Sequence, residues 1–129
     1  MYYLAFHGRP AAVTPVLGRV SGDKLIETFA GYDGYHNLVY FGACSVFRGV
    51  RGRRFADEFL KATGVRAVIG YTTPVPWMAS LVCDMLFLHR FYNHPAPWKN
   101  LRRIFASVHR DYPAARRLGH MLLMRDMHA

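Results

Sequence analysis

The chain has 129 residues, 52% of them apolar and 15% aromatic, and a formal charge of +9. That length holds one hydrophobic core, and the apolar share excludes a disordered chain. The two cysteines, Cys44 and Cys83, are too few for a disulfide framework.

Tyr2 to Phe6 is an apolar run of strand-forming residues that ends in His7-Gly8. Arg9 to Asp23 holds Pro10, Pro15, Gly18 and Gly22 and reads as a loop with a short hairpin between Val13 and Val20. Asp23 to Ala30 places Leu25, Ile26, Phe29 and Ala30 at helical spacing, with Gly31 as its stop signal and a turn at Tyr32 to Tyr35. Leu38 to Phe41 is a second apolar run. Gly42-Ala43 then shrinks the side chains, and Cys44 stands where such a strand ends.

Phe47 to Arg54 is glycine-rich and basic, which predicts a mobile, solvated loop; no Gly-Lys-Ser/Thr follows to complete a phosphate-binding loop. Arg54 to Ala62 is amphipathic and ends at Thr63-Gly64. Val65 to Tyr71 is a third buried strand, and Pro74 and Pro76 stiffen the loop from Thr72 to Trp77. Met78 to Tyr92 reads as a long helix, apolar on most sides and therefore expected to be buried against the sheet. Beyond the break at Asn93 to Pro97, the residues Trp98, Leu101, Ile104, Phe105 and Val108 make a sharp apolar stripe. A short helix from Pro113 to Leu118 stops at Gly119, and His120 to Arg125 adds an edge strand. Strands alternating with helices imply a mostly parallel sheet with helices on both faces, in one domain spanning residues 1–129.

The chemistry concentrates on two of these strands. If the runs ending at His7 and Cys44 are parallel neighbours, a base and a thiol emerge side by side at the carboxyl edge of the sheet, where reactive groups gather in α/β folds. A base beside a thiol lowers its pKa and makes the thiolate available as a nucleophile. Cys83, set among Val82, Met85 and Leu86, reads as core.

A strand ending in His-Gly followed by a strand ending in Ala-Cys resembles the caspase-like cysteine peptidases, the group of caspases, metacaspases, legumain and separase. Arg66 to Pro74 resembles the strand and loop that line their substrate groove. The likeness runs from Tyr2 to about Tyr92, although Gly-Ala-Cys-Ser-Val around Cys44 differs from the Gln-Ala-Cys-x-Gly of caspases proper. The resemblance implies a three-layer caspase-like α/β fold and a cysteine endopeptidase, for which no cofactor is expected; two cysteines in apolar surroundings with no secretory signal point to a reducing, cytoplasmic compartment. It implies a Cys44–His7 dyad, an oxyanion hole from the backbone amides of Gly8 and Cys44, and substrate contacts from Arg9, Tyr71, Thr72, Thr73 and Trp77.

Two other readings compete. One is a catalytically silent relative that serves as a binding or scaffold module. The other is a nucleic-acid-binding protein, drawn from the basic C-terminal third with Lys99, Arg102, Arg103, Arg110, Arg116 and Arg117, though no nucleic-acid motif accompanies them. A metal site is not expected, because His89, His94, His109, His120 and His128 show no His-x-x-x-His pairing and no Cys-x-x-Cys occurs. The longest apolar stretch, Val75 to Leu88, is broken by Asp84 and is too short to span a bilayer.

In the family one or more strands precede the His-Gly strand, and this chain starts at it. The edge of Tyr2 to Phe6 is then left bare and has to be covered by a second copy, a partner protein, the hairpin at Val13 to Val20, or the C-terminal strand. The expectation is a homodimer or other self-association with that edge at or near the contact.

Overall fold

The molecule is built around a four-stranded sheet whose middle strand carries the apolar run before Cys44. In the computed structural model the elements run β1 (Tyr2–Leu4), β2 (His7–Arg9), β3 (Ala12–Thr14), β4 (Val20–Ser21), α1 (Gly22–Ala30), β5 (Leu38–Phe41), α2 (Gly49–Thr63), β6 (Ala67–Tyr71), α3 (Trp77–Asn93), α4 (Leu101–Asp111), α5 (Ala114–Arg117) and β7 (His120–Met124). The structure describes residues 1–4, 7–9, 12–14, 20–30, 37–43 and 45–125, with 7–9 and 12–14 described by their backbone pairing alone.

The main sheet has the order β1-β5-β6-β7. β1, β5 and β6 are parallel, and β7 closes the far edge antiparallel to β6. A second, smaller sheet of β2, β3 and β4 is antiparallel, and Val13 pairs with Val20 as the hairpin reading expects. His7 therefore does not end the first strand; it opens β2 in the second sheet, opposite Thr14.

Every residue of β5 and β6 is buried, which accounts for their unbroken apolar sequences. Alternation along the strands sends Val39, Phe41 and Val68 to one face and Leu38, Tyr40, Ala67, Ile69 and Tyr71 to the other. On the first face they meet Leu25 of α1 and Phe55, Ala56, Phe59 and Leu60 of α2. Phe41 sits edge-on to Phe55 and Phe59, with ring centroids 5.7 and 5.5 Å away. On the second face the strands meet Cys83, Phe87 and Phe91 of α3 and Leu101, Ile104 and Val108 of α4. The protein is thus mixed α/β with a mostly parallel sheet packed on both faces. Among the described residues no helix is long and apolar enough to cross a membrane.

Of the glycine-rich basic segment expected to be a mobile loop, Gly49 to Arg54 is instead the first part of α2, and Phe47 is buried in the turn before it. Gly52 lies against the backbone of Phe47, where an added Cβ would collide, so this glycine serves close packing and not flexibility. The arginines take the wet side, and Arg53 and Arg54 pair with Asp57 and Glu58 one turn on. Gly64, with φ of 73°, caps the helix as the sequence predicts.

Burial of α3 also differs from the expectation. Cys83, Asp84, Phe87 and Phe91 are buried, but Trp77, Met78, Leu81, Val82 and Met85 are exposed. The helix is apolar on most sides, yet the sheet and α4 cover only part of its circumference. The expected stop at Gly31 and turn at Tyr32 to Tyr35 lie outside the described residues.

Candidate active site at the carboxyl edge of the sheet

β1 and β5 are parallel neighbours, paired as Tyr2–Val39, Tyr3–Tyr40 and Leu4–Phe41. One further bond, Gly42 N–H to the Leu4 carbonyl at 2.9 Å, carries the pairing past the end of β5. His7 follows Leu4 by three residues, and Cys44 follows Phe41 by three. Cys44 itself, and the side chains of His7 and Arg9, lie outside what the structure describes. The backbone of Gly8 and Arg9 pairs with Val13 and Ala12 in the second sheet.

The chain just after Cys44 is held firmly. Ser45 is buried and has φ of 60°, and it is the one non-glycine residue with positive φ among the described residues. That conformation costs an L-residue about 1–2 kcal/mol, so the surroundings must hold it. They do so by three backbone bonds of 3.0 Å: Ser45 N–H donates to the Thr73 carbonyl, Arg48 N–H to the Ser45 carbonyl, and Phe47 N–H to the Tyr71 carbonyl. The turn after β5 is therefore laced to the segment after β6.

That second segment is anchored in turn. Thr72 N–H donates to the Gly119 carbonyl at 3.0 Å, and the Thr73 hydroxyl donates to the Leu118 carbonyl at 2.7 Å. Gly119 has φ of 67° and lies so close to Thr72 that no side chain fits there. Of the residues assigned to a substrate groove, Thr72 and Thr73 are half-buried and Trp77 stands exposed. Tyr71 is turned into the core, where it packs with Tyr40, Phe87 and their neighbours.

No sequence motif announces what holds Tyr71 there. Asp84, on the buried side of α3 and only 2% exposed, accepts hydrogen bonds from three tyrosines of three adjacent strands. Tyr3 of β1 donates to Oδ2 at 2.6 Å and Tyr40 of β5 to Oδ1 at 2.5 Å; Tyr71 of β6 also donates to Oδ1. Tyr40 Oη lies 2.8 Å from His120 Nε2, and His120 Nδ1 lies 3.0 Å from His109 Nε2.

Since each hydroxyl has one proton and Tyr40 gives its own to Asp84, the pattern fixes the rest. His120 donates from Nε2 to Tyr40 and accepts at Nδ1 from His109. Every donor then runs toward the carboxylate, an arrangement that suits an ionised Asp84 and neutral histidines. Burial raises the Asp84 carboxyl, while the three tyrosine bonds pull it back down. Burial lowers His120 to about 3, reinforced by the nearby His109. Burial raises Tyr3, Tyr40 and Tyr71, and the adjacent carboxylate adds to each shift. Burial also pushes the Cys83 thiol up to about 12, which leaves it an inert core group.

The available signal for this cluster was Asp84 itself, a lone acid in an apolar helix. A buried charge needs partners. Its partners were spread over residues 3, 40, 71 and 120, so no local spacing announced them.

Among the described residues no three His, Cys, Asp or Glu side chains are grouped as a metal ion requires. No protein-family model, curated protein or solved structure matches this chain.

Proposed function

We propose that the chain is a cysteine endopeptidase of the caspase-like type, with a three-layer fold and a Cys44–His7 dyad. The observation that carries the reading is the parallel register of β1 on β5. Leu4 pairs with Phe41, and the proposed base and nucleophile each lie three residues beyond that pair. Level parallel strand ends direct the segments that follow toward one sheet edge, as a base and nucleophile from separate strands require, and His7 would approach Cys44 from the start of β2. The strained, tightly bonded Ser45 beside Cys44 adds support, because backbone strain collects where a reactive group is held in place.

In this reading His7 takes the thiol proton, and the Cys44 thiolate attacks the carbonyl carbon of the scissile bond. The tetrahedral oxyanion is held by the backbone amides of Gly8 and Cys44. Collapse breaks the C–N bond as His7 protonates the leaving amine, and an acyl-thioester remains on Cys44. Water, deprotonated by His7, then hydrolyses the thioester and frees the thiol. Thr72, Thr73 and Trp77, together with Arg9, line the substrate path.

A fluorogenic peptide library tests the proposal. The wild-type chain is expected to release fluorophore, while Cys44→Ala and His7→Ala each lose at least a hundredfold in rate with an unchanged circular dichroism spectrum. Turnover that survives Cys44→Ala contradicts it.

A further inference from the structure

The exposed side of α3 carries an apolar run, Met78 to Met85, that is nearly symmetric about its middle. Trp77, Met78, Leu81, Val82 and Met85 are 70%, 55%, 38%, 44% and 47% exposed, and together they form one continuous apolar stripe. Within it, Met78-Ala79-Ser80-Leu81-Val82-Cys83-Asp84-Met85 is a near-palindrome in what it shows to solvent. The two methionines stand at equal distances either side of the Leu81–Val82 midpoint, while Cys83 and Asp84 are turned into the core. No exposed residue between Ala67 and Leu88 is charged, on a chain whose formal charge is +9.

We infer that α3 is a homodimer interface, in which two copies pair their α3 helices antiparallel about a two-fold axis at Leu81 and Val82. A two-fold contact requires a self-complementary patch, in which residue i meets j and j meets i. The stripe satisfies this: Met78 of each copy lies against Met85 of the other, and Leu81 and Val82 meet their own counterparts on the axis.

The size is adequate. With large side chains of about 150–250 Å², the exposed parts of these five residues come to roughly 500 Å² per copy. Buried in full, the two together come to ~1,000 Å², the size of a weak, concentration-dependent interface.

Charge agrees with this orientation. The first cation along α3 is Arg90, toward its C-terminal end. Antiparallel pairing sets the two Arg90 positions roughly 25 Å apart along the helices, well beyond the ~8 Å screening length at physiological salt. Parallel pairing would bring them together. This contact is distinct from the β1 edge, which lies on the sheet.

Sedimentation velocity between 1 and 100 µM tests the inference. The wild-type chain is expected to pass from monomer to dimer across that range. Met78→Glu and Met85→Lys are each expected to weaken the dimer at least tenfold, with circular dichroism unchanged. The double variant, in which each new carboxylate faces the partner's new ammonium, is expected to recover it. A monomer throughout the range overturns the inference. So does a dimer indifferent to either single change, which would place the contact elsewhere, and so does a double variant that stays monomeric.

Discussion

Asp84 and Tyr40 meet at 2.5 Å in the interior, joining the apolar helix α3 to the central strand that leads to Cys44. The carboxylate also takes hydroxyls from Tyr3 and Tyr71, so one side chain ties α3 to three parallel strands. Tyr71 is the last residue of β6, and its carbonyl and the Thr73 carbonyl hold the turn that follows Cys44. The buried carboxylate and the strained Ser45 turn are thus joined through two residues of backbone.

Removing the hub should therefore cost far more than removing one spoke. Asp84→Ala takes the shared acceptor from three tyrosine hydroxyls, two of them on fully buried side chains, and should destabilise the fold by roughly 3–5 kcal/mol. Tyr3→Phe, at the half-buried end of the cluster, should cost about 1 kcal/mol. Urea denaturation of both variants checks the order. Equal losses would mean that the three bonds do not act through a shared carboxylate.

His120 gives the protein a defined weakness toward acid. Its folded-state value near 3 lies below the ordinary histidine value of about 6.5, so between these limits the unfolded chain binds the extra proton. The stability due to neutral His120 is whole above about pH 6.5 and declines as pH falls toward 3, by up to about 1.4 kcal/mol per pH unit. Asp84 works with the opposite sign: its raised carboxyl favours the folded state at low pH and loses that contribution as pH rises. Comparison with His120→Gln, which keeps a donor for Tyr40, isolates the histidine. Denaturation midpoints from pH 7 to pH 4.5 should fall less steeply in the variant than in the wild type, and parallel profiles would contradict the assignment.

The two glycines at the start of α2 should respond differently to substitution. Gly52→Ala drives a methyl group into the Phe47 backbone and should cost about 1–3 kcal/mol. Gly49 has φ of 66° and open space around it, so Gly49→Ala carries only the backbone penalty of about 1 kcal/mol. Thermal unfolding of the pair checks this ranking.

The two central strands were legible because their sequences are unbroken apolar runs, whereas the run through His7 divides between β1 and β2. Leu38–Phe41 and Ala67–Tyr71 fall within the stretches read as strands, and β7 is an edge strand as expected. α2 was misjudged at its start because glycine signals both looseness and close approach, and only the position of Phe47 tells which applies at Gly52. α3 was misjudged because hydrophobicity on most sides does not say how much neighbouring elements can cover. The tyrosine–aspartate cluster was invisible for a different reason: its members are brought together by strand register, which no single stretch of sequence contains.

Charge sets an expectation for specificity under the peptidase proposal. Arg9 follows the His7-Gly8 pair, and Tyr71 to Trp77 contains no acidic residue. A path lined by a cation and no carboxylate should favour an acidic or neutral residue before the scissile bond over Arg or Lys. Efficient cleavage after arginine in a peptide panel would contradict this.

Reactivity of the two thiols tests the central claim most directly. A peptide carrying a thiol-reactive electrophile, incubated with the native protein and located by mass spectrometry of the digest, should modify Cys44. It should spare Cys83, whose thiol is fully buried and pushed up to about 12. His7→Ala should slow Cys44 labelling at least tenfold, because the base that maintains the thiolate is gone. Labelling of Cys44 at the rate of a free thiol, unchanged by His7→Ala, would contradict the dyad.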